Sequence, residues 1–127
     1  IFFNNKNLKK NYEIINRSKI VVFIYSTLGY ESFAKGIKTL SVSYISNKNN
    51  SAEFKPIKFG YPGNLKSTGF FWISNNNKNL FFKTLNNVYN CKSVKWLKIY
   101  KNYKKQIMEY DPGNAKFKSI ISGIINE

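Results

Sequence analysis

IVVFIY at residues 20–25, followed at once by STLGYE at 26–31, decides how this chain folds. Five consecutive apolar residues ending in an aromatic have the pattern of a strand buried in a parallel sheet. Ser26 or Thr27 supplies a helix N-cap, and Tyr30, Phe33, Ala34 and Ile37 then recur at helical spacing on one face. Gly36 ends that helix, and KTLSVSY at 38–44 reads as the next strand. The unit is strand, tight turn, helix, strand. It aims unpaired backbone N–H groups, and the positive end of a helix dipole, at the carboxyl edge of the sheet, where phosphate-bearing ligands bind. The hydrophobic run predicts a central parallel strand over 20–25.

Working outward, NYEIINRSK at 11–19 predicts a short helix with Tyr12, Ile14 and Ile15 inward. The polar, Asn-rich stretch 45–55 is expected to be a loop on the ligand side, with a short extended segment at 57–59 and turn chemistry in GYPGN at 60–64. GFFWIS at 69–74 is a further strand, and Asn77 caps a helix over 78–90 with Leu80, Phe81, Leu85 and Val88 inward. Ser93 is expected to cap the longest helix, reaching about residue 110, with Trp96, Ile99, Tyr100, Tyr103 and Ile107 as its apolar stripe. Asp111 or Asn114 caps a last helix whose inward face is Phe117, Ile120, Ile121, Ile124 and Ile125. There is no internal repeat. The pattern predicts an α/β fold of Rossmann-like type, a parallel sheet with helices on both faces.

The 127 residues amount to one domain at most, over 1–127, and 43% of them are apolar. The net charge of +15 comes from 21 Lys+Arg against 6 Asp+Glu. One reading is a basic module that binds nucleic acid or anionic lipid. The composition favours another. Only Arg17 among the basic residues is arginine, and Asn, Ile, Phe, Tyr and Lys, the residues of AT-rich codons, are all abundant. Arginine would be expected where phosphates or bases are gripped in fixed geometry. No specific nucleic acid is therefore expected as a partner, and DNA should bind no tighter than the non-specific range, about 10⁻⁴–10⁻⁶ M at physiological salt. Submicromolar affinity in a fluorescence titration would overturn this. The Lys-rich face of the 93–110 helix is by default solvated, with contact at the periphery of the inner membrane as the sharper reading.

Cys91 stands alone, so no intrachain disulfide forms, and with no histidine there is neither a Cys–His dyad nor a His-based metal site. No acidic cluster suggests a metal, and no cofactor is expected. No run is apolar enough to span a bilayer, and the cytoplasm is the expected compartment.

Ser26, Thr27, Gly29 and Glu31, with Ala34, Lys35 and Gly36, resemble the donor-site motif in the second domain of GT-B-type glycosyltransferases. The chain is most similar to transferases of bacterial surface-carbohydrate biosynthesis, and more distantly to capsular Kdo transferases. GFFW at 69–72, the segment 81–88 and IMEYDPGN at 107–114 also look like the tail of such proteins, so the resemblance covers roughly 12–126. It implies a nucleotide-sugar donor and a chain that is the C-terminal part of a longer enzyme. The catalytic base would come from the N-terminal domain of the same protein, so this part alone would transfer nothing. A sugar-nucleotide epimerase of the same fold is a further alternative.

On this reading the Ser26 and Thr27 hydroxyls and the first helical N–H groups hold donor phosphate, Gly29 lets the ligand approach the backbone, and Glu31 accepts hydroxyl hydrogen bonds from the sugar or nucleoside. The plainer alternatives are an ordinary turn in which Ser26 caps its own helix, and an exposed Glu31–Lys35 ion pair. Lys35, Lys38 and Lys48 are expected to be solvated rather than phosphate ligands. Trp72 and Tyr61 are expected to pack rather than stack on a base.

Overall fold

The computed structural model describes residues 8–42, 65–66, 68–74 and 77–125. Expectations for 43–64, including the 45–55 loop, Lys48 and Tyr61, lie outside the described residues. Along the chain come α1 (Leu8–Arg17), β1 (Val21–Phe23), α2 (Thr27–Ala34), β2 (Thr39–Val42), β3 (Trp72–Ile73), α3 (Lys78–Tyr89), α4 (Ser93–Ile107), a 3₁₀ turn at Pro112–Asn114 and α5 (Ala115–Ile125).

The strand–helix–strand unit forms as its hydrophobic pattern dictates. β1 pairs with β2 in parallel, Val22 opposite Leu40, and β2 pairs in parallel with β3, Ser41 opposite Trp72. The sheet order is β1-β2-β3. Among the described residues β2 is therefore the central strand, buried along its whole length, and β1 is an edge. This corrects the expected central position of 20–25. α3 packs over β2 and β3, and Val22 and Ile24 remain 45% and 55% exposed. A run of apolar residues marks a strand but not its neighbours.

Helices cover both faces. On one, Leu40, Val42 and Ile73 meet Leu80, Phe81 and Leu85 of α3. On the other, Phe23, Phe33, Phe71, Trp72 and Trp96 form a largely aromatic core against which Ile99, Tyr100, Tyr103 and Ile107 of α4 pack. The stripe read from the α4 sequence is thus its packed face. Trp72 is buried, and its Nε1 donates to the Lys66 carbonyl at 2.8 Å, so it packs as expected.

The caps divide into those set locally and those set by the fold. Asn77 accepts from the Leu80 N–H at 2.9 Å, an N-cap as the sequence indicates. Asp111 accepts from the N–H groups of Lys116 and Phe117 at the start of α5. Ser93 is not a cap: α4 begins on it, with Lys92 at the cap position and no side-chain cap bond. The α4 helix stops at Ile107, where Met108 turns to extended backbone.

The end of α4 is tied to α5 by Glu109, which lies 3.1 Å from Lys104 and 2.7 Å from Lys116. The two ammonium groups, Lys116 first, hold the Glu109 carboxyl down to about 2 from an ordinary 4.5. A carboxyl depressed in the folded state contributes while it is ionised. The tie should therefore hold at pH values above 4.5 and be lost as pH falls toward about 2. An NMR titration of the Glu109 carboxyl checks this; a midpoint at the ordinary carboxylate value would mean that the tie does not form in solution.

The inward face expected of α5 is instead outward. Phe117, Ile120, Ile124 and Ile125 are 62–76% exposed and Ile121 is 38% exposed. Periodicity established that α5 has an apolar face, not that this chain covers it.

Candidate functional site

The turn from β1 into α2 is where the sequence places the site. Tyr25, the second of the two residues between strand and cap, has φ 47, in the left-handed region that an aromatic side chain rarely adopts. This strain had no signal in the sequence. Tyr25 is 41% exposed beyond the carboxyl end of β1.

Ser26 follows in extended conformation, with φ −104 and ψ 124. Its carbonyl accepts from the N–H groups of Gly29 at 3.0 Å and Tyr30 at 3.2 Å, closing the first turn of α2. Its hydroxyl makes no cap hydrogen bond to the helix. Ser26 thus holds the N-cap position expected of it, but its hydroxyl does not satisfy its own helix as the plain alternative requires. Thr27 is exposed on the first residue of the helix.

Gly29 has a structural reason to be glycine. It is buried, and a Cβ built there would fall inside the Phe23 ring. That ring lies edge-on to Tyr30 at 5.2 Å. The glycine admits the β1 aromatic against α2, where the sequence suggested that it admits a ligand. Gly29→Ala should therefore destabilise the fold by about 1–3 kcal/mol through overpacking. Urea unfolding measures this, and an unchanged midpoint would place the Phe23 ring elsewhere.

Glu31, one turn further along α2, is half-buried and accepts a hydrogen bond from the Tyr12 hydroxyl of α1. That bond to the carboxylate, with burial and charge adding, raises the Tyr12 phenol above its ordinary 10.0. The Glu31–Lys35 pair is not among the salt bridges of the described residues. Lys35 lies over the Tyr12 ring, its Nζ 4.5 Å from the centroid, and 5.9 Å from that of Tyr110. Glu31, Tyr12 and Lys35 thus form one cluster alongside the second half of α2, whose C-cap is Lys35. Tyr12 joins it across 19 residues of sequence, a separation at which no local pattern gives notice.

Lys38 departs from both of its readings. Its Nζ donates to the carbonyls of Tyr89, at 3.1 Å, and of Cys91, where α3 ends. A cation there complements the negative end of the helix dipole. Lys38 also lines an open cavity of about 660 Å³ with Lys19, Tyr89, Ser93 and Trp96, near the amino end of β2. This is the end opposite the Tyr25–Ser26 turn.

Among the described residues no group of acidic or sulfur side chains could hold a metal, and no described helix is long and apolar enough to cross a membrane. Chemically, the β1–α2 turn offers two hydroxyls and a helix N-terminus for an anion, with a carboxylate one turn away that already accepts from a hydroxyl. A family model described as "putative O-antigen biosynthesis protein" matches residues 1–124. The chain belongs to that family. The membership connects it to surface polysaccharide biosynthesis. No curated protein and no solved structure matches the chain significantly.

Proposed function

We propose that this O-antigen biosynthesis family member is the donor-binding part of a GT-B-type glycosyltransferase. It would act in the cytoplasm on a nucleotide-activated sugar to build a surface polysaccharide or glycolipid. The observation that carries the reading is the strained Tyr25–Ser26 turn, whose serine hydroxyl is not spent on its own helix. Strained backbone is retained where the surrounding structure holds it for a purpose, and it clusters at ligand sites.

In this reading Ser26, Thr27 and the first N–H groups of α2 receive the donor phosphates, with the helix dipole favouring the negative charge. Glu31 receives sugar or ribose hydroxyls, as it receives the Tyr12 hydroxyl here. A carboxylate has lone pairs for more than one such donor. Gly29 acts only indirectly, by setting how closely α2 approaches β1. A turn at a sheet edge walls a ligand on one side only, and the second wall would come from an N-terminal domain. That domain would also supply the base that deprotonates the acceptor. What this chain offers to catalysis is electrostatic stabilisation of the departing phosphate.

Calorimetric titration of the chain with UDP-, GDP- and CMP-sugars tests the reading. Weak saturable binding of one nucleotide class, lost on Ser26→Ala with Thr27→Ala, is the expected result. Absence of binding to all three, in the chain alone and joined to its N-terminal domain, would overturn it.

A further inference from the structure

α5 has an apolar face that the described chain does not cover. At 100° per residue, Phe117, Ile120, Ile121, Ile124 and Ile125 fall on one continuous face of Ala115–Ile125. Lys116 and Lys118 stand one on each border of that face, and Ser119, Ser122 and Gly123 lie opposite. Four of the five apolar residues are more than 60% exposed. Among the described residues the helix meets the rest of the chain chiefly at its start, through the Asp111 cap and the Glu109–Lys116 pair.

The charge around this helix selects its occupant. Lys105 in the last turn of α4 is exposed, as is Lys118 of α5, and Glu109 fastens the end of α4 to the start of α5. The two acids nearest the junction are already engaged, Glu109 by Lys104 and Lys116 and Asp111 by the α5 N–H groups. The chain as a whole carries +15. A partner must therefore be apolar where it meets five hydrocarbon side chains and anionic where it meets the lysines. A nucleic acid satisfies only the second condition. A second copy satisfies only the first, because it brings another net charge of +15 rather than an anionic surface. A stable dimer also needs about 20–30 residues a side, and α5 offers five apolar ones. An anionic bilayer surface satisfies both conditions. Eleven residues are too few to cross a bilayer, which takes about 20, but enough to lie in its interface.

We propose that α5 is an interfacial helix that seats this protein on an anionic lipid bilayer. Its isoleucine face enters the acyl boundary, and Lys118 reaches the lipid phosphates at one border while Lys116 at the other stays paired to Glu109. The inference rests on α5 and stands independently of the donor site.

The test is co-sedimentation of the full chain with phosphatidylglycerol-containing vesicles and with pure phosphatidylcholine vesicles. Binding is expected to the anionic vesicles, to weaken with salt, and to fall at least about tenfold on Ile120→Asp with Ile124→Asp. Near-UV circular dichroism should show an unchanged aromatic core in that variant, because α5 contributes no buried residue. Phe117→Trp supplies a second readout that keeps the apolar face, namely a blue shift in emission on adding anionic vesicles, beyond that of the parent chain. Three outcomes overturn the proposal: no binding to anionic vesicles, undiminished binding by the folded Ile120→Asp, Ile124→Asp variant, or self-association through this face without vesicle binding.

Discussion

Replacing Phe33 with alanine is expected to cost about 3–5 kcal/mol of folding free energy. Phe33 is fully buried on α2. Its ring stacks on Phe71 at 5.0 Å and 9°. It also meets the edges of Tyr100 at 5.4 Å and Trp96 at 6.3 Å. The same two α4 residues grip the end of α2 by hydrogen bonds, Trp96 to the Gly36 carbonyl at 2.7 Å and Tyr100 to the Ala34 carbonyl at 2.8 Å. Removing the ring leaves a cavity bounded by large, mutually packed aromatics that cannot collapse into it without moving those bonds. The loss thus includes a cavity term as well as lost transfer free energy. Domains of this size are held by about 5–15 kcal/mol in total, so Phe33→Ala should unfold a substantial fraction of the chain near its working temperature. Urea or thermal unfolding followed by tryptophan emission measures it. A loss below about 1 kcal/mol would mean that the α2–α4 contact is not the core.

Phe33 also shows what the sequence discloses. Its place on the α2 face, like the α4 stripe from Trp96 to Ile107 and the Asn77 cap, follows from spacings of a few residues, and local chemistry alone sets these. What depends on distant pairing was not legible. The order β1-β2-β3 places β1 at the edge of the described sheet because β3 joins β2 on its other side. The role of Lys38 depends on where α3 ends, more than fifty residues later. Tyr12 finds Glu31 only because α1 lies beside α2. Gly29 was legible as a position that rejects a side chain, but not as one that rejects it because of Phe23. α5 was legible as amphipathic, while the direction of its apolar face was not, since amphipathicity is the same whether the cover is protein or lipid.

If the proposed donor-site reading holds, Glu31→Gln in the full-length protein is expected to lower sugar-transfer turnover by roughly 10- to 150-fold. The loss of one hydrogen bond to a charged acceptor, about 1.5–3 kcal/mol, corresponds to that range. Ser26→Ala with Thr27→Ala should lower it comparably, acting first on donor affinity. Stability gives the control. The Ser26 hydroxyl makes no cap bond and Thr27 is exposed, so the double change should cost well below the about 1 kcal/mol of a lost cap. Glu31→Gln keeps a carbonyl oxygen that can still accept from Tyr12, so α1 should stay docked. Tyr12→Phe separates the two functions of Glu31. It removes the competing phenol while leaving the carboxylate and the ring under Lys35. If Glu31 reads donor hydroxyls, Tyr12→Phe should retain or tighten donor binding while Glu31→Gln loses it. If Glu31 serves only to dock α1, Tyr12→Phe should lose stability and neither variant should change donor affinity. Full turnover in the Glu31→Gln enzyme would remove Glu31 from the donor site.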